Sequence, residues 1–203
     1  HHVDHRLRPT SADEADRARE IAAALGAPFV LHTADVGAGP NLEARARAAR
    51  RGLLPPGAMT GHTADDQAET VLLRLLRGSG GDGLAAIEPG PTHPILALRR
   101  SETEQVCCAL GIDPVCDPTN AEPVGWRNRV RHELLPLATD IAGRDLVPVL
   151  ARTAGLLRDE QVLLDELAGA IDPTDARAVR DAPPALARRA LRRWLTVDGY
   201  PPD

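Results

Sequence analysis

Apolar residues recur at Ala68, Val71, Leu72, Leu75 and Leu76, the i, i+3, i+4, i+7, i+8 spacing that lays one helical face against a core. Asp65 and Glu69, four apart, fall at the edge of that face, so the pattern predicts a rim of carboxylates. Gly78-Ser79-Gly80 ends the helix. Upstream, Ala58-Met59-Thr60 reads as a short buried strand, making residues 62–66 a strand-to-helix turn, the place where open α/β sheets bind ligands. His2-Val3-Asp4-His5 reads as the end of a strand and Pro28 to His32 as another, separated by a helix from about Ser11 to Leu25 that Gly26 stops. Asn41 to Arg51 is a further helix, Thr92 to Leu96 a last strand, and Ser101 to Leu110 a short helix closed by Gly111. Strands alternating with helices predict an α/β fold, a parallel Rossmann-like sheet with helices on both faces.

Beyond Pro136 the chain turns to alanine-, leucine- and arginine-rich helices, Arg144 to Leu167 and Ala185 to Leu195 with a break near Pro173. Two domains are therefore expected, an α/β core over 1–137 and the start of a helical domain over 138–203.

Composition narrows the class. The 203 residues are 43% hydrophobic and 26% charged, a globular balance, with no run apolar enough to cross a bilayer and nothing like a secretory signal. A cytoplasmic protein without membrane contact is the expectation. Cys107, Cys108 and Cys116 are odd in number and lack paired C-x-x-C spacing, against a disulfide framework or a zinc site. Net charge is −5 and no lysine occurs, so any nucleic-acid contact must use local arginines. Aromatics, 2% of the chain, are too sparse for extended base stacking.

Candidate chemistry gathers in two runs. Residues 60–80 hold Asp65, Asp66 and Glu69 beside His62, Arg74 and Arg77. Thr63 and Asp66 also resemble a weak capping box, and acids in a first turn suit the helix dipole without any function, so pattern alone leaves a structural role open. The second run, Arg127, Arg129, Arg131 and His132, is the most compact cationic cluster of the chain. Guanidinium forks suit phosphate and carboxylate oxygens, while a solvated helix face is the plainer alternative.

Gly61-His62-x-x-Asp65-Asp66-Gln67-x-Glu69-Thr70, followed by Arg74-x-x-Arg77-Gly78-Ser79-Gly80 and Gly83-Leu84, resembles the signature of the tRNA(Ile)-lysidine synthetases, a family of PP-loop (N-type) ATPases. His2-Val3-Asp4-His5-x-Leu7-Arg8-Pro9 resembles the family's second strand and its following loop, and Asn41-x-Glu43-Ala44 with Arg47 and Arg50 its next helix. Asp117-Pro118-Thr119-Asn120 and Arg127-Asn128-x-x-Arg131 resemble two later blocks. Arg6 stands where glycine is usual, Arg51 and Gly125 where an aromatic is, and His93 where arginine is.

The resemblance implies a carbon–nitrogen ligase of tRNA processing. ATP with Mg²⁺ adenylates the wobble cytidine of a CAU-anticodon isoleucine tRNA, and L-lysine then displaces AMP. It implies that Asp65, Asp66 and Glu69 hold and deprotonate lysine or hold metal. His5, Arg8 and His62 would line the nucleotide, and Arg127, Asn128 and Arg131 would meet ATP phosphate or tRNA. No single metal ligand is singled out, and a homodimer is one assembly the resemblance admits. The family's Ser-Gly-Gly-x-Asp-Ser phosphate loop would lie upstream of His1, so the chain is expected to be part of a longer reading frame or of a decayed gene, and inactive as it stands. Another PP-loop tRNA-modifying enzyme, such as a 2-thiolation enzyme, should show a reactive cysteine pair, for which Cys107-Cys108 is a poor candidate. A catalytically dead tRNA-binding remnant is the other alternative.

Overall fold

The computed structural model describes residues 1–6, 11–37, 42–115 and 125–196, with the side chains of 42–44 outside the description. Its elements in chain order are β1 (His2–Asp4), α1 (Ser11–Ala24), β2 (Leu31–Thr33), α2 (Leu42–Leu53), α3 (Ala64–Leu76), α4 (Gly81–Leu84), α5 (Arg100–Ala109), α6 (Trp126–Arg129), α7 (Leu135–Ala142), α8 (Val147–Gly169), α9 (Ala176–Asp181) and α10 (Pro184–Leu195). A π-helical turn over Val130–Leu134 joins α6 to α7. The chain divides into two compact units, His1–Thr63 with Pro89–Asn128, and Ala64–Glu88 with Arg129–Asp203.

In the first unit β1 and β2 pair in parallel, with His2 opposite Leu31, Val3 opposite His32 and Asp4 opposite Thr33. α1 supplies the crossover that parallel neighbours need, and it packs on β1. It ends as the sequence predicts: Gly26 takes φ +64°, and the Ala27 N–H donates to the Ala22 carbonyl at 2.8 Å. β2 begins later than expected, after Pro28, Phe29 and Val30.

The strands expected at Ala58–Thr60 and Thr92–Leu96 do not form among the described residues. One backbone bond, from the Thr60 N–H to the Thr92 carbonyl at 2.8 Å, joins the two segments. Pro91 and Pro94 carry no N–H for a ladder. Their segment closes into successive turns instead, with His93 N–H on Gly90 O (2.9 Å), Leu96 N–H on His93 O (3.2 Å) and Leu98 N–H on Ile95 O (3.0 Å).

The second unit is helical. Its core joins Ala64, Ala68, Leu72 and Leu73 of α3 to Val130, Leu135 and Val147, with Leu134, Leu146 and Leu150 packed around them. The face that α3 buries is rotated from the predicted one, so Leu75 and Leu76 are 56% and 55% exposed. Glu69, expected at a rim, is 0% exposed. α3 stops where predicted: Gly78 has φ +75°, and the Ser79 N–H returns to the Arg74 carbonyl at 2.9 Å. The helices expected over Arg144–Leu167 and Ala185–Leu195 form as α8 and α10, with α9 between them.

Proline explains the π turn. At position 136 it can neither donate to the carbonyl four residues back nor tolerate it closely, so the helix widens through Val130–Leu134 rather than breaking. The segment after α4 is held by side chains. Gln67 donates to the Ile87 carbonyl (3.1 Å) and accepts from its N–H (2.8 Å), Arg74 donates to Gly83 O (2.5 Å) and Ala86 O (3.3 Å), and Arg158 of α8 donates to the carbonyls of Ala85 and Ile87. Such a set of donors can hold Ala86 at φ +56°, a left-handed conformation costly for a residue with a Cβ.

Candidate active site

The residues singled out in the sequence fall into two constellations, one in each unit. In the second unit Arg131, presented by the π turn, meets the first turns of α3. Its Nε donates to Glu69 Oε1 at 2.7 Å and its Nη2 to Glu69 Oε2 at 3.1 Å, a bidentate fork. Asp66 Oδ1 lies 3.7 Å from Nη2. The bond to Glu69 raises the Arg131 pKa; burial opposes this, and the fields of Glu69, Asp66 and Asp65 add to it. Asp65 and Asp66 are half-buried, so they face water more than Glu69 does. The cluster can hold a cation against carboxylates, and its guanidinium already fills that role for Glu69.

In the first unit a pocket of about 210 Å³ is lined by His5, Ala46, Arg47, Arg50, His62 and Arg127. His5 follows β1, Arg47 and Arg50 lie one turn apart on α2, and Arg127 is on α6. Burial lowers the His5 pKa first, with the positive field of Arg50 adding to it. Its buried Nδ1 meets no hydrogen-bond partner among the described residues. His62 is fixed from behind: Nδ1 stands 2.7 Å from the Thr60 hydroxyl, which itself donates to the Thr92 carbonyl at 3.3 Å. His93 stacks at a tilt against the His62 ring, ring centres 5.2 Å apart. The pocket suits a phosphate-bearing anion, since the donors of its described lining are cationic or imidazole.

Of the expected nucleotide residues, His5 and His62 share this pocket, joined by Arg127; Arg8 lies outside the described residues, as do Asp117 to Asn120. Asn128 is half-buried beside Arg127 and is not among the described lining residues. The expected cationic cluster is dispersed: Arg127 faces the pocket, Arg129 pairs with Glu133 at 2.8 Å, and Arg131 takes Glu69. Arg74 serves the backbone after α4. The sequence signal for Arg47 and Arg50 in the pocket was their i, i+3 spacing on one helix. No group of three or more His, Cys, Asp or Glu side chains among the described residues is placed to hold a metal ion.

The family model of the PP-loop domain matches residues 1–138. The chain belongs to the PP-loop family, and with it to the Rossmann-like, adenine nucleotide alpha hydrolase-like fold. At finer grain it is similar to proteins named tRNA(Ile)-lysidine synthase. That of Rhodococcus erythropolis is 44% identical over 97% of this chain and 66% of its own length. Those of Nocardia farcinica, 42% identical over 97% of this chain and 67% of the relative, and Cutibacterium acnes, 37% over 95% and 67%, agree. The chain thus spans about 66% of the length of the first of these curated relatives.

Proposed function

We propose that the protein, in its full length, is a tRNA(Ile)-lysidine synthase, an ATP-dependent carbon–nitrogen ligase of the cytoplasm. The observation that carries the reading is the Glu69–Arg131 fork, which brings together, across 62 positions of sequence, two of the motif blocks on which the family resemblance rests. In this reading the C2 oxygen of the wobble cytidine attacks the α-phosphorus of ATP and pyrophosphate leaves. The ε-amine of L-lysine then bonds to C2, and the C2–O bond breaks to release AMP.

The residues divide that work. Asp65 and Asp66 receive the lysine ammonium and take its proton, because a carboxylate opposite an ammonium is both its anchor and its base. Glu69 acts through Arg131, which it holds at the cluster. His5, Arg8, His62, Arg127 and Asn128 meet the nucleotide or the tRNA backbone. The described pocket fits the phosphate end of ATP by its donor set and by the orphaned Nδ1 of His5. Magnesium would offset phosphate charge, with the phosphate oxygens as its principal ligands. The family match over residues 1–138 supports a PP-loop core over 1–137; in this reading 138–203 begins a helical tRNA-binding domain. Membrane contact is not part of the reading, and no described helix is long and apolar enough to cross a membrane.

The test is ATP-dependent incorporation of labelled lysine into an isoleucine tRNA with a CAU anticodon, using the full-length protein. Incorporation is expected, and it should vanish when the wobble cytidine is replaced. ATP binding without incorporation would overturn the reading in favour of another PP-loop modification enzyme, and no ATP binding in favour of a dead remnant.

A further inference from the structure

We propose that His93 is a positioning residue of the proposed reaction: its ring holds the His62 imidazole in the orientation in which it lines the pocket. The inference rests on the reading above, in which His62 meets the nucleotide, and it gives a role to a residue that has none there.

The segment that carries His93 is fastened to the segment that carries His62 at successive positions. The Thr60 N–H donates to the Thr92 carbonyl at 2.8 Å, and the Thr60 hydroxyl donates to the same oxygen at 3.3 Å. Next along, the rings of His62 and His93 lie with centres 5.2 Å apart and planes at 50°. Ile95 Cδ1 then comes within 3.8 Å of the point where a side chain on Gly61 would begin. His93 itself has little freedom. Its N–H is held by the Gly90 carbonyl at 2.9 Å, its Nδ1 stands 3.2 Å from the Thr92 hydroxyl, and Pro94 disfavours the helical region for its backbone.

A single hydrogen bond does not fix an imidazole. The Thr60 hydroxyl engages Nδ1 of His62 at 2.7 Å, and a ring tethered at one atom can still turn about that contact, because the outer torsion of histidine is broad. A flat group against its face removes that freedom. His93 supplies one from outside the pocket: it is half-buried and is not among the described lining residues. It therefore acts on the nucleotide through His62. Arginine, usual at this position in the family pattern, is also a flat group that stacks on aromatic faces, so either residue can support the ring.

The test is calorimetric titration of the full-length protein with ATP, every variant being compared at equal folded fraction. His93→Leu fills similar space without a flat face, whereas His93→Phe and His93→Arg keep one. An aromatic pair at this separation is equivalent to roughly 3- to 10-fold in affinity, so His93→Leu should weaken ATP by that factor. His93→Phe and His93→Arg should stay within about twofold of the unsubstituted protein. In a His62→Ala background, His93→Leu should cost nothing further. In the lysine-incorporation assay His93→Leu should raise KM for ATP and leave KM for lysine in place. No loss of ATP affinity in His93→Leu, a loss that His93→Phe and His93→Arg share, or the same loss with His62 present and absent would overturn the proposal. Lysine incorporation accompanied by any of those results would remove this role and leave the proposed function standing. The expected pattern of ATP affinities without lysine incorporation would leave the role standing and remove the lysidine reading.

Discussion

Replacing Glu69 by alanine should destabilise the protein by about 3 kcal/mol. The substitution deletes two charge-assisted hydrogen bonds, of 2.7 and 3.1 Å, and leaves the Arg131 guanidinium with Asp66 at 3.7 Å. Removing one partner from a buried pair costs about 3–5 kcal/mol, chiefly because the surviving charge is stranded away from water. The Arg131 side chain is 21% exposed and that of Glu69 1%. Water can therefore relieve the orphaned arginine more than an orphaned glutamate. Glu69→Ala belongs at the low end of that range and Arg131→Ala near the top, at about 4–5 kcal/mol. Glu69→Gln keeps the volume and one acceptor and should cost about 1–3 kcal/mol.

Urea unfolding followed by far-ultraviolet circular dichroism gives each value as a shift in midpoint at constant m. The double variant should be far less destabilised than the sum of the two single ones, because the second substitution removes the charge that the first strands. A Glu69→Ala cost below about 1 kcal/mol, or strict additivity of the pair, would refute the buried fork. The stability loss also governs how activity is read. A Glu69 variant must be compared at equal folded fraction, since an effect of this size is a large part of a domain's total stability.

Ala86→Gly should raise stability by about 0.5–1 kcal/mol, because a left-handed backbone at φ +56° suits glycine; no gain in melting temperature would count against strain there. Arg158→Met should cost about 1–3 kcal/mol by leaving the carbonyls of Ala85 and Ile87 without their charged donor, and hydrogen exchange at residues 83–88 should rise with it. Unchanged exchange would mean that Gln67 and Arg74 suffice. The pKa of His5 is lowered in the folded state, so the unfolded chain binds the proton more readily. Stability should consequently fall as pH drops below the ordinary histidine range near 6.5, and His5→Asn should flatten the slope between about pH 6.5 and 5. An identical slope in that variant would remove His5 as the cause.

The site was legible in the sequence as composition and only partly as geometry. Asp65, Asp66 and Glu69 were readable as a group because a helix puts them within one turn of each other. The burial of Glu69 was not. Periodicity assigns a carboxylate to the edge of an apolar face, and only Arg131, 62 positions later, makes burial tolerable. The arginine run failed in the opposite direction. Neighbours in sequence looked like one patch, yet Arg127, Arg129 and Arg131 point to a pocket, a surface partner and a buried acid. Residues one or two apart on a helix do not share a face, and the π turn that Pro136 imposes turns the register further.

The longer helices were legible, three of them with ends at Gly26, Gly78 and Gly111 where positive φ is required, whereas α4, α6, α7 and α9 were not read from the pattern. The strands were less so, because three- to five-residue apolar runs carry too little pattern to tell a ladder from the turns that Pro91 and Pro94 impose. Arg6 shows what a departure from a family pattern can mean physically. It stands where glycine is usual, and its φ is +51°, the region glycine enters freely. The Asp4 carboxylate accepts the Arg6 N–H at 2.7 Å and holds the turn in glycine's place, a bond that also lowers the Asp4 pKa. The bond therefore holds Arg6 in a left-handed bend just after β1, beside His5 of the pocket, in a conformation that costs a residue with a Cβ local strain.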